Sequence, residues 1–158
     1  MSYRHLLVAV DDREERTALI EKAQSLARHF GARLSVLSVM PPLPAQALGS
    51  DAGMGMPVMA NLPMDSAWSN ELLEQRRHQL CLACAPLGIA AEDIHLVTDQ
   101  IDSGIVENAN ALGADLIVVG HHQRRGFFSR LFSHTDQDVV GKATCDVLSV
   151  ALETPPGP

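Results

Sequence analysis

Apolar positions along the chain switch between two periods. HLLVAV, residues 5–10, is a continuous run of strand length, as expected of a strand buried on both faces of a parallel sheet. Leu19, Ala23, Leu26, Ala27 and Phe30 then recur at helical spacing, and Gly31 follows as a stop. RLSVLSVM, 33–40, reads as a second strand, closed by Pro41 and Pro42, which cannot continue a ladder. Residues 65 to about 87 predict a second helix with Leu73, Leu80, Cys84 and Leu87 on one face, ended by Gly88. DIHLVT, 93–98, is a third strand, and Ser103 is expected to cap a helix carrying Ile105, Ala109 and Leu112 up to Gly113. DLIVVG, 115–120, and DVLSVAL, 146–152, are strands four and five, with a helix beginning near Thr135 between them.

Strands alternating with helices predict an α/β fold: a single domain with a five-stranded, mostly parallel open sheet and helices on both faces. The domain is expected over 1–152, with a long connection at 41–64 and a flexible tail at 153–158. In such sheets ligands sit beyond the carboxyl ends of the strands. Here those ends are Asp11 and Asp12, Val39 and Met40, Asp99, and Gly120 with its loop.

Composition narrows the function. With 158 residues, 46% hydrophobic and 20% charged, the chain is long enough for one core without disulfides or metal. A net charge of -7 makes a general nucleic-acid binder improbable. No apolar run is long enough to span a membrane and no signal segment opens the chain, so a soluble, cytoplasmic protein is expected. Cys81, Cys84 and Cys145 are an odd number, so a disulfide framework is not expected, and the C-x-x-C lies within a helical pattern with no second pair to complete a zinc site; Cys81 and Cys84 read as core or surface thiols of a helix.

The stretch VVGHHQRRGFFSRLFSHTDQDVV, 118–140, carries a buried strand, an expected turn at Gly120 and a helix start. Together with HLLVAVD near the start and the apolar strand after Cys145, it resembles the universal stress protein family over essentially the whole chain. The resemblance implies a Rossmann-like, adenine nucleotide alpha hydrolase-like fold. The family's nucleotide-binding branch has glycine, two residues, glycine, nine residues, then glycine and serine or threonine. Gly120 fills the first place, but Gln123 stands in the second and Ser133 and His134 in the last two. The GHHQ turn, Gly120 to Gln123, is similar to that of the branch generally regarded as not binding ATP.

The substitutions have a physical meaning. Glycine lets backbone amides approach a phosphate, and a side chain in a left-handed conformation costs on the order of 1 kcal/mol. An anion or nucleotide at these strand ends would meet Ala9, Asp11, Val39, Val119, Gly120, Gln123, Arg124, Ser133, His134 and Thr135. Arg124, Arg125 and Arg130 make the loop basic, and the helix start at 133–135 attracts anions, so a smaller anion could dock where ATP is disfavoured. The plainer alternative is a solvated basic face with Thr135 and Asp138 as a helix cap. No cofactor is required.

Other chemistry is weaker. His121 and His122 are adjacent and point apart, so a shared metal is not expected. Asp11 and Asp12, with Asp99, also suggest a response-regulator receiver, but DVLSVAL lacks the lysine such domains carry there. Residues 41–64 hold five prolines, three glycines and one charged residue; Met54, Met56, Met59 and Met64 suggest an adaptable flap, with copper(I) a remoter possibility. No nucleophile and base can be assembled from the sequence. The reading is a non-catalytic stress-response protein, binding unidentified protein partners and itself. A homodimer is expected along the last strand through Val147, Leu148, Val150 and Leu152, because an apolar sheet edge must be covered and the family pairs this strand across a two-fold axis. The alternative is an ATP- or AMP-binding regulatory switch.

Overall fold

The computed structural model describes residues 2–11, 16–40, 64–122 and 139–152, except for the side chains of 64–69 and His122. The elements run β1 (His5–Val10), α1 (Arg16–Phe30), β2 (Arg33–Met40), α2 (Met64–Cys84), β3 (Ile94–Thr98), α3 (Ile101–Leu112), β4 (Leu116–His122) and β5 (Asp146–Leu152). Residues 139–142 are helical just before β5. The sheet order is β3-β2-β1-β4-β5, and every described pair is parallel.

The strand runs are apolar on both sides because both faces are covered. On one face α1 and α2 bring Leu19, Ile20, Ala23, Ala27, Leu80 and Cys84 onto Leu6, Val8, Val36 and Val118. On the other, α3 and Val139 bring Ile105, Val106 and Ala109 onto Leu7, Leu37, Ile117 and Val119. Gly31 and Gly113 end α1 and α3 with φ of 64° and 70°, a left-handed conformation that explains why glycine stands at both stops. Among the described residues no helix is long and apolar enough to cross a membrane.

Several element boundaries differ from the sequence expectation. The α-helical part of α2 ends at Cys84 and tightens into a 3₁₀ turn over Ala85–Leu87, because Pro86 has no amide hydrogen to continue the ladder. β3 begins at Ile94, since Asp93 closes a preceding 3₁₀ turn. α3 starts at Ile101, two residues before the expected cap Ser103; Gln100 is the N-cap residue, without a side-chain cap bond, and Ser103 lies within the first turn. β4 runs through Gly120 to His122, so the expected turn at Gly120 is a strand position. The receiver reading fails on topology: β2 separates β1 from β3, leaving the ends bearing Asp11 and Asp99 about 10 Å apart, two strand spacings.

The amino-terminal rim of the sheet is tied by side chains. The Asp115 carboxylate, just before β4, accepts the amides of Arg4 at 2.9 Å and His5 at 3.0 Å, while its own amide donates to the His5 carbonyl at 2.9 Å. His5 is buried between β2 and α3: Nδ1 donates to the Leu112 carbonyl at 3.1 Å, and in the neutral ring Nε2 accepts from the Ser35 hydroxyl at 2.8 Å. Tyr3 donates to Asp146 at 2.9 Å at the start of β5, and Arg33 pairs with Asp93 at 2.6 Å just ahead of β3.

Burial pulls the Asp115 carboxyl up, but the Arg4 and His5 amides outweigh it and leave it below its ordinary 3.8. Asp115→Ala is expected to lower the unfolding free energy by about 1–2 kcal/mol, seen as a lower urea midpoint at unchanged slope. Because the folded carboxyl is the stronger acid, its contribution is complete above about pH 4 and fades as pH falls through the folded value, so wild type and variant should converge in acid.

Candidate functional site

At the opposite, carboxyl rim the ladder opens. β1 and β4 pair only from Leu6 and Leu116 to Val8 and Val118, whereas β1 stays paired to β2 through Val10 and β4 stays paired to β5 through His122. The two strands therefore part where the chain's crossovers change direction, the position at which doubly wound sheets take ligands. Ala9 and Asp11 stand on one lip of this crevice, Val119, Gly120 and His121 on the other.

Of the expected site residues, Ala9, Asp11 and Val39 are half-buried at the ends of β1 and β2, and Val119 is buried in β4. Val39 is partly occupied by α3: a Cβ at Gly104 would stand 2.9 Å from Val39 Cγ1 and 3.3 Å from Asp99 Cβ, so the absence of a side chain there lets the helix lie on the strand ends. Gln123, Arg124, Arg125, Arg130, Ser133, His134 and Thr135 lie outside the described residues, as do Asp12, Met54, Met56, Met59, most of 41–64 and the tail at 153–158. Asp99 closes β3 by donating its amide to Met40 at 3.0 Å and accepting the Gln100 amide at 2.7 Å.

Gly120 has a packing role. Its φ is not positive, and a Cβ there would fall 2.6 Å from Leu152 Cδ1 and 3.2 Å from Leu19 Cδ2. The room beside this backbone is thus filled from β5 and α1.

The remaining chemistry is sparse. Cys84 is a core residue whose thiol is pushed up to about 11, first by burial and then by neighbouring Cys81, which makes it a poor nucleophile or ligand. Asp102 is held below its usual range chiefly by Lys142, which donates to it at 2.6 Å and ties α3 to residues 139–142. His121 is turned toward a residue that sequence reasoning did not consider: its Nδ1 lies 2.7 Å from Ser149 Oγ on β5. The two are 28 residues apart and meet only through the β4–β5 register, so no local motif could signal the contact.

Of the four residues expected at a dimer edge, Val147 packs on the α3 face and Val150 and Leu152 on the α1 face of their own sheet. Leu148 remains 37% exposed.

A model of the universal stress protein family matches residues 2–151. The chain belongs to that family. Universal stress protein A homolog 1 of Coxiella burnetii is 29% identical over 153 residues, 97% of this chain and 99% of that protein. Universal stress protein A of Escherichia coli strain K12 is 29% identical over 152 residues, 96% of each chain. Among solved structures, a putative universal stress protein from Pseudomonas aeruginosa superposes with a TM-score of 0.66 at 23% identity; it covers 96% of this chain, which spans about half of it (48%). At that identity the likeness concerns the fold, and it agrees with the Rossmann-like α/β architecture.

The packing of Gly120 can be checked by a double-mutant cycle. Gly120→Ala should cost on the order of 1 kcal/mol in the wild-type background and distinctly less in Leu152→Ala, where the clashing methyl is gone.

Proposed function

We propose that this universal stress protein acts in the cytoplasm as a non-catalytic homodimer that serves the stress response through protein partners, without needing a bound nucleotide. Membership of the family supports the stress-response role. The observation that favours a role without bound nucleotide is Gly120: the one glycine retained from the nucleotide-binding pattern is accounted for by Leu152 and Leu19, and it lies within a strand. The pattern's other glycine places are filled by Gln123 and Ser133.

The dimer reading draws on β5. In the described sheet β5 pairs only with β4, so its outer backbone faces away from the sheet along seven residues, with Leu148 beside it. Such an edge is a template for another strand unless it is covered, and a second copy supplies a matching strand about a two-fold axis. Since Val147, Val150 and Leu152 already pack in their own sheet, backbone pairing rather than an extensive apolar patch would carry the contact.

A second reading, an ATP- or AMP-responsive switch, is favoured by the crevice between β1 and β4 and by the loop's Arg124, Arg125 and Arg130.

Calorimetry with ATP and Mg²⁺ separates the two. A heat-silent titration at millimolar nucleotide is expected, and micromolar binding would replace the first reading with the second. In sedimentation the protein should run as a dimer at micromolar concentration and Leu148→Arg as a monomer; a monomeric wild type would end the dimer proposal.

A further inference from the structure

His121 and Ser149 form a pair that the proposed function does not use. In the β4–β5 register Val119 faces Ser149 and His121 faces Ala151, so the two polar side chains stand diagonally on one sheet face, among Val119, Val147 and Ala151. Ser149 is exposed, His121 half-buried, and Nδ1 and Oγ are 2.7 Å apart. With the ring proton on Nε2, Nδ1 accepts the Ser149 hydroxyl proton, the arrangement of a nucleophile and its general base.

We infer that Ser149 is a nucleophile activated by His121 and accepts a short acyl group from an activated ester. Ser149 Oγ attacks the ester carbonyl carbon and forms the new C–O bond as its proton passes to His121 Nδ1. The bond from that carbon to the leaving oxygen then breaks, and the leaving oxygen takes the proton back from the imidazolium. The products are acyl-Ser149 and a free alcohol, with the imidazole neutral again. A neutral carbonyl suits this place better than a phosphoryl donor. Val119, Val147 and Ala151 offer an apolar bed for a short acyl chain, which a phosphoryl group would leave unused. Side chains stand perpendicular to the sheet, so a partner strand along the β5 edge would not lie over this face. The protein is thus an acceptor modified once per chain, beyond its proposed non-catalytic role and independent of it.

The test uses p-nitrophenyl acetate with the full chain. Wild type should release a burst of p-nitrophenolate approaching one equivalent per chain and carry one acetyl group on the peptide containing Ser149. Ser149→Ala should lose both. His121→Gln, which cannot take the proton at Nδ1, should slow the burst by about 100-fold. The proposal is overturned if wild type shows no burst, if acetyl groups fall on lysines and not on Ser149, or if His121→Gln leaves the burst rate unchanged. The His121 arm stands by itself should Ser149→Ala fail to fold, and circular dichroism establishes which variants are folded.

Discussion

Everything in this molecule follows from one strand that has no free side. β1 is paired to β2 on one edge and β4 on the other, and its apolar side chains are buried on both faces. A central parallel strand of this kind can exist only if each face is roofed by helices and the connections run out in opposite directions from it. That requirement sets the order β3-β2-β1-β4-β5, places α1 and α2 on one face and α3 on the other, and puts the change of direction between β1 and β4. The crevice at the carboxyl rim is therefore a consequence of roofing a buried strand, and it would be present whether or not any ligand came to occupy it.

The two rims of the sheet differ in kind. At the amino rim, backbone amides that precede the ladder are met by Asp115, and His5 links β1 to β2 and α3. At the carboxyl rim, β1 and β4 part, and the adjoining side chains are either packed, as Val119 and Gly120 are, or polar and accessible, as Ser149 is. Fold and chemistry are thereby separated along the strand axis.

What could be read from the sequence follows the reach of each signal. Five strands and their alternation with helices were legible because buried parallel strands show as uninterrupted apolar runs. Gly31 and Gly113 were legible because a left-handed residue at a helix end is a local requirement. The C-terminal turn of α2 was misjudged because apolar spacing continues through Leu87 while Pro86 has already ended the ladder. Gly120 was read as a turn because a motif was matched by position; its actual constraint comes from Leu152, far along the chain. His121 and Ser149 were invisible as a pair for the same reason, since register is a property of the assembled sheet.

The fastened rim has a consequence for how the sheet loosens. Bonds at Tyr3, His5, Arg33 and Asp115 link all five strands, or the residues leading into them, at one end, while the β1–β4 ladder stops after Val8 at the other. The structure resembles a fan riveted at its base, so any parting of its two halves, β3-β2-β1 and β4-β5, would meet least backbone pairing at the open end. Anything that bridges the lips would therefore act with the leverage of a whole strand length, converting a small contact at the rim into coupling between the two halves of the sheet.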